Sequence, residues 1–208
     1  MKLIELKMNE YLDILLSNAP APGGGSVSAL AGAQGAALMA MVCDLTTAKE
    51  KYADDHELCR EIREKAGELY EGFARAVDED TEAFNLVAAA FKMPKDTDQQ
   101  KEARKKAIAD GTLEATKVPF RVMSMASEGL QLAERLQGHY NRNCDSDYGV
   151  GVLNLMTCMR GAWLNVKINL PGVKDEDLAK EYEESGRKML ADGEVIADRI
   201  YSEIEEEL

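Results

Sequence analysis

Residues 19–43 read APAPGGGSVSALAGAQGAALMAMVC, and the architecture of the chain follows from them. Three consecutive glycines come after a proline, and the segment that follows carries no charge as far as Cys43. Alanine and glycine recur in it at helical spacing, so both faces are small enough for neighbouring helices to approach closely. The segment predicts a central helix that Ser26 could cap, in an all-α bundle.

The uncharged run 26–43 approaches the length of a membrane span. Its residues are mostly Ala, Gly and Ser, with Gln34 near the middle, so a buried core helix is the favoured interpretation. The N-terminal stretch MKLIELKMNEYLDILL alternates charged and apolar residues and lacks the unbroken apolar core of a secretion signal. We therefore expect a cytoplasmic protein without membrane contact.

The rest of the chain also shows helical periodicity, and strand-like alternation is lacking. At 208 residues the length fits one domain, residues 1–208. We expect a bundle of about six long helices. Two weakly charged segments, 26–43 and 148–159, exceed what one monomer needs to cover, which favours a helix-packed homodimer. Besides the glycine-led helix, the predicted helices are one ending before Asn18 and four covering about Asp55–Met93, Asp98–Leu136, Ser146–Asn169 and Asp175–Glu206.

The charge balance excludes some partners. Lys and Arg number 25 against 38 Asp and Glu, a net charge of −13, which argues against binding to duplex nucleic acid. The four cysteines form no CxxC pair and only two histidines are present, so we expect no metal site and free thiols in a reducing compartment. An anionic ligand would need a local basic pocket, for which Arg104 is a candidate, although such residues usually form a solvated face.

The glycines match neither a Walker loop nor a dinucleotide fingerprint, because the Lys-Ser/Thr and the GxGxxG pattern are both missing. One interpretation is a helix entrance whose backbone angles only glycine tolerates. Another is that the backbone N–H groups of Gly23, Gly24, Gly25 and Ser26 bind a carboxylate or an anionic ring substituent.

Asp80 is the most informative single residue. In FARAVDEDTEAFNLV, residues 73–87, an apolar helical stripe contains Phe73, Val77, Phe84 and Val87, and Asp80 stands where the next apolar residue is expected. A carboxylate on a buried stripe must be paired, hydrogen-bonded or protonated. Asp80 is thus either a catalytic candidate or the partner of a basic residue on a neighbouring helix.

Two further polar sets precede and end the fifth helix. Asn143, Ser146 and Asp147 form a polar turn, in which Ser146 or Asp147 could simply cap the helix. Asn165 and Asn169 lie four residues apart on that helix, and aligned amides on a covered helix need partners. They could bind each other, the backbone or a heterocycle rich in donors and acceptors.

Six segments in this order and spacing resemble the cyclodeaminase/cyclohydrolase family of folate one-carbon enzymes. The likeness runs from the first helix to about Pro171. The segments are PAPGGGSVSALAGAQGAALMAMVCDLT, DEDTEAFNLV, KMPK, ATKVPF, NRNCDSD and LNVKINL.

The resemblance implies an all-α dimer in the cytoplasm that acts on a tetrahydrofolate-bound one-carbon unit, with no further cofactor. It also implies folate-site positions at Gly23 to Ser26, Asp80, Arg104, Asn143, Ser146 and Asp147. We expect Asp80, or alternatively Asp147, to handle the proton, in a cavity shared with the 143–147 turn.

Three functions are compatible with the sequence. The first is hydrolysis of 5,10-methenyltetrahydrofolate to 10-formyltetrahydrofolate, and the second is cyclodeamination of formiminotetrahydrofolate with release of ammonia. The third is a helical scaffold dimer without catalysis, in which a polar residue on an apolar stripe sets the helix register.

Overall fold

The computed structural model describes residues 2–208, which form an α-helical bundle without strands and confirm the predicted all-α class. Short 3-10 turns lie between several of the helices. The helices are α1 (Met8–Leu16), α2 (Gly24–Thr47), α3 (His56–Lys92), α4 (Asp98–Leu136), α5 (Asp145–Asn169) and α6 (Glu176–Glu207).

Helix α2 is the centre of the bundle and packs mainly against α3 and α5. Glycines make this approach possible. A Cβ added at Gly32 would lie 2.6 Å from the Phe73 ring of α3, and one added at Gly35 would lie 2.8 Å from the carbonyl oxygen of Gly151 on α5. Neither neighbour has room to move away, so the spacing of the three helices requires these positions to lack side chains.

Among the described helices, α2 is long and apolar enough to cross a membrane, and 61% of its most apolar window is buried inside the chain. The residues that cover it come from α3, α4 and α5. Within the chain, α2 is therefore packed as the core helix that its small residues predict.

Helix α3 continues past the point where α2 begins. Gly25, near the start of α2, lies against Asp80, so residues 81–92 of α3 extend beyond α2. The apolar stripe predicted for α3 is buried at Phe73 and Val77, whereas Phe84 is 39% and Phe91 is 57% exposed. The stripe is therefore not buried along its whole length, because α2 begins beside Asp80 and does not extend over Phe84 and Phe91.

The close packing of α2 on α5 gives a stability prediction. Gly35→Val is expected to lower the free energy of unfolding by about 1–3 kcal/mol, because its side chain must push against the α5 backbone at Gly151. Gly67→Val is the matched control, since a Cβ there meets only the end of the flexible Arg63 side chain. Urea unfolding followed by circular dichroism measures both variants, and equal losses would contradict the packing argument.

Candidate active site

A cavity of about 330 Å³ opens where the N-terminus of α2 meets α3, the middle of α4 and the C-terminal end of α5. Asp80 is the one charged residue among the described residues that line it. The cavity is thus mostly apolar, with a single carboxylate and two amides. Its lining residues are Pro20, Ala21, Gly23, Gly24, Gly25, Asp80, Phe84, Val87, Ala115, Asn165, Ile168 and Asn169.

The glycines give the backbone of α2 close access to Asp80. A Cβ added at Gly25 would collide with the Asp80 carboxylate, and one at Gly24 would lie 3.4 Å from Nδ2 of Asn165. Gly23 has an extended φ of −128°, and Gly138 is the one described glycine with a positive φ. The interpretation of the glycines as a requirement of backbone angles is therefore wrong. Gly25 instead leaves space for the Asp80 carboxylate, whereas a Cβ would make an ordinary contact at Gly24 and meet no atom within 4 Å at Gly23.

Asp80 is held against the first turn of α2. The Ser26 hydroxyl lies 3.2 Å from Asp80 Oδ2 and 2.8 Å from the Val77 carbonyl oxygen, to which it also donates. Burial raises the pKa of the Asp80 carboxyl, and hydrogen bonds from the Ser26 hydroxyl and backbone N–H act in the opposite direction. The salt-bridge alternative for Asp80 finds no support among the ion pairs of residues 2–208. A partly desolvated carboxyl of this kind keeps its proton to a higher pH than an exposed aspartate does, because its pKa is raised.

Asn165 and Asn169 turn their amide NH₂ groups to the backbone. Asn165 donates to the Gly161 carbonyl at 2.9 Å, and Asn169 donates to the Ala115 carbonyl of α4 at 2.8 Å. Their side-chain oxygens accept no hydrogen bond from the described residues and remain acceptors beside the cavity. The two amides predicted from the sequence are therefore placed to bind donor groups on a ring.

The polar turn before α5 does not reach this cavity within one chain. Asp147 lies in the first turn of α5 and Asn165 near its end, about 27 Å apart along the helix axis. Ser146 instead borders a groove beside α6, and Asn143 is exposed. The expectation of one cavity shared by Asp80 and this turn is wrong for the single chain, because the turn and the glycines stand at opposite ends of α5.

Arg104 also lies outside the cavity, about 16 Å along α4 from Ala115. Its Nη2 donates to the Phe91 carbonyl at 3.3 Å, and its guanidinium stands 5.5 Å from the centre of the Phe91 ring. Arg104 thus belongs to the part of the α3–α4 hairpin that extends beyond α2. A ligand would have to reach along this hairpin to contact it.

The sequence did not identify the apolar walls of the cavity. In the sequence Phe84 and Val87 belong to an apolar stripe, and nothing marks Ile168, which is 78% exposed in the structure. An available signal was length. The predicted helix at about Asp55–Met93 is much longer than the uncharged segment 26–43, so that segment cannot cover its whole apolar stripe. In the described chain, no group of three or more His, Cys, Asp or Glu side chains is arranged to hold a metal ion.

The family model described as formiminotransferase-cyclodeaminase matches residues 7–188. A methenyltetrahydrofolate cyclohydrolase from Methylorubrum extorquens is 38% identical over 194 residues, which cover 93% of each chain. A formimidoyltransferase-cyclodeaminase from Gallus gallus is 29% identical over 90% of this chain but only 35% of its own length. The chain thus spans about a third of that bifunctional relative.

The fold is also found in a solved structure. The crystal structure of a formiminotetrahydrofolate cyclodeaminase from Thermotoga maritima superposes with a TM-score of 0.80 and covers 99% of this chain and 96% of its own. The two sequences are 24% identical, so this likeness concerns the fold alone.

Burial of Asp80 gives a pH-dependent stability prediction. Because its pKa is raised in the folded protein, ionisation of Asp80 opposes folding above the folded-state pKa, and the penalty disappears below its ordinary value of 3.8. Asp80→Asn is therefore expected to melt at a higher temperature than the wild type at pH 8. The difference should shrink as the pH falls towards 3.8. Thermal unfolding across this range measures it, and a variant that is less stable at pH 8 would show that Ser26 outweighs burial.

Proposed function

The chain belongs to the formiminotransferase-cyclodeaminase family, and on that basis we propose that it hydrolyses 5,10-methenyltetrahydrofolate to 10-formyltetrahydrofolate. The observation that carries the choice is the 38% identity to a cyclohydrolase, which extends over 93% of both chains. The bifunctional relatives match with a lower identity and over about a third of their length.

The cavity fits the chemistry of this substrate. In methenyltetrahydrofolate the one-carbon unit bridges N5 and N10 as a cation, and Asp80 supplies the matching negative charge between the apolar side chains of Phe84 and Val87. Because these walls exclude part of the solvent, the attraction between carboxylate and cation is stronger than in water. The free amide oxygens of Asn165 and Asn169 are suited to accept hydrogen bonds from the N–H groups of the pterin.

Asp80 can carry the proton through the reaction. Water adds to the bridging carbon while the Asp80 carboxylate accepts its proton, and a tetrahedral centre forms. The bond from carbon to N5 then breaks as Asp80 gives the proton it accepted to N5. The hydroxyl of the tetrahedral centre loses the second water proton to solvent, and the formyl group remains on N10. Since burial raises the pKa of Asp80, the carboxylate is a better proton acceptor than an exposed aspartate. No electrons are transferred, and our proposal includes no cofactor besides the folate.

Cyclodeamination is the second candidate, because N10 attack on a formimino carbon gives a related tetrahedral centre from which ammonia leaves. The sequence similarity to formimidoyltransferase-cyclodeaminases from Gallus gallus and Rattus norvegicus supports keeping it. The glutamate tail of either substrate would point along the α3–α4 hairpin towards Arg104. Lys49 and Lys51 follow the C-terminal end of α2, about 35 Å from its glycines, and are too distant within one chain.

We also propose a homodimer in the cytoplasm. The outer faces of α2 and α5 form one apolar surface, and its charged neighbours Asp44 and Arg160 are ion-paired within the chain. Two molecules that each carry −13 can approach most readily across such a neutral face. The four free cysteines, all buried, are compatible with a reducing compartment. The exposed apolar side chains of this surface are Val27, Met41, Leu45, Val150, Leu153, Leu164 and Ile168.

A two-fold contact between antiparallel α5 helices would place the start of α5 in one copy beside its end in the other, where the Asp80 cavity opens. Such a pairing would bring the polar turn near the cavity of the second copy. This arrangement keeps Asp147 available as the alternative proton carrier.

Replacement of Asp80 tests the catalytic assignment. Asp80→Asn is expected to lower kcat by about 100-fold or more, because the proton acceptor is lost while the helical circular dichroism stays unchanged. The decay of the near-ultraviolet absorbance of methenyltetrahydrofolate measures hydrolysis, and ammonia release from formiminotetrahydrofolate measures cyclodeamination. Asp78→Asn is the matched control, since Asp78 accepts from the Leu3 N–H at 2.6 Å and does not line the cavity. Normal turnover by Asp80→Asn would exclude the role.

The dimer has its own test. Light scattering is expected to give twice the 22.9 kDa chain mass for the wild type and a single chain mass for Leu153→Glu, which places a charge in the apolar surface. Leu86→Glu is the control, because Leu86 is exposed on α3 outside this surface. A monomeric wild type at micromolar concentration would contradict the proposal.

A further inference from the structure

Pro119 lies inside α4 and is buried there, in the segment ATKVPF, residues 115–120. A proline has no backbone N–H, and inside a helix its ring lies against the carbonyl four residues earlier. The Ala115 carbonyl therefore lacks its helical donor. Ala115 lines the mostly apolar cavity, where a carbonyl without a donor is unfavourable. Another group has to take the place of the missing N–H.

Asn169, at the end of α5, supplies that donor across the helix interface. Its Nδ2 lies 2.8 Å from the Ala115 carbonyl oxygen and 3.0 Å from the carbonyl oxygen of Asn165, one turn earlier on α5. An amide NH₂ group has two hydrogens, so both are engaged by these two carbonyls. The side-chain oxygen accepts from no described residue, and Asn169 lines the cavity.

These two bonds fix the orientation of the Asn169 amide. A flip of the amide would place its oxygen opposite two carbonyl oxygens, which have no hydrogen to donate. Asn165 differs, because its Nδ2 donates to the Gly161 carbonyl and keeps one hydrogen that no described residue accepts. Of the two amides beside the cavity, Asn169 can therefore only accept from a ligand, whereas Asn165 can also donate.

Close packing keeps the end of α5 against α4 at this level. Gly172 follows α5 by three residues, and a Cβ added there would lie 2.7 Å from Cγ2 of Thr112 on α4. Thr112 is about one helical turn before Ala115. The distance between Ala115 and Asn169 is therefore set by packing as well as by their hydrogen bond.

We propose that Pro119 is a positioning residue for Asn169, and that the fixed amide oxygen selects ligands with an N–H or NH₂ group at this wall of the cavity. The N–H missing from one helix directs the amide of another. A ring that presented a carbonyl oxygen at this point would be repelled and would leave the Asn169 oxygen without a donor. That the ring is a pterin rests on the proposed function, whereas the orientation of the amide does not.

A double-mutant cycle tests the link to binding. Asn169→Ala is expected to raise the KM for methenyltetrahydrofolate about tenfold and to leave kcat nearly unchanged, because a hydrogen bond made equally in the ground state and the transition state is lost. Pro119→Ala should fold, since alanine favours helix, and its new N–H competes with Asn169 for the Ala115 carbonyl. Its KM should rise about threefold.

The double variant separates positioning from general packing. If Pro119 acts through Asn169, the KM of the double variant should equal that of Asn169→Ala alone. KM values that multiply, to about thirtyfold, would show that Pro119 acts independently and would overturn its role.

Side-chain amide NMR tests the positioning without turnover. The Asn169 NH₂ signals, assigned by their loss in Asn169→Ala, should exchange with solvent about tenfold faster in Pro119→Ala than in the wild type. Pro94→Ala is the matched control, because this exposed proline lies between α3 and α4 and interrupts neither helix. Unchanged exchange in Pro119→Ala would overturn the inference. If the exchange changes but the wild type acts on neither folate, the positioning of Asn169 stands and only the proposed reaction fails.

Discussion

The structure depends on the absence of side chains along α2. At Gly32 and Gly35 an added Cβ would meet the Phe73 ring and the Gly151 backbone, and at Gly25 it would meet the Asp80 carboxylate. The same constraint therefore sets the spacing of three core helices and brings a helix N-terminus onto an acid. The same glycines of α2 pack against the core and against Asp80, so the carboxylate is held as firmly as the core side chains.

Placing an acid at this junction works against folding, because burial raises the pKa of Asp80 and the carboxylate has few donors. Proteins commonly keep such destabilising groups where a reaction needs them. Here the surrounding residues limit the penalty without removing it. Ser26 shares its hydroxyl proton with the Val77 carbonyl, and the Thr81 hydroxyl lies 3.2 Å from Ser26 Oγ. The balance leaves Asp80 able to take and release a proton.

Local pattern was sufficient to predict the helices, but the prediction that Ser26 caps α2 is wrong, because α2 begins at Gly24 and the Ser26 hydroxyl donates to the Val77 carbonyl. The bounds of α3, α4 and α5 lie within one residue of those expected, because apolar periodicity and Pro94 are features of the chain itself. Asp80 was identifiable because it interrupts an apolar stripe. The sequence did not show which end of α5 lies beside Asp80, because the polar residues Asp147 and Asn165 are equally plausible site residues in a sequence. That choice depends on the antiparallel register of α2 on α5, and the register follows from packing between distant segments.

The two sides of the cavity differ in what they can accommodate. At Gly25 there is no space for another atom, whereas Phe84 and Val87 on the opposite side are partly exposed. Substitutions that adapt the enzyme to altered pterins should therefore be tolerated on the α3 side only. A directed-evolution library would gain most from randomising Phe84 and Val87 while Gly25 stays fixed.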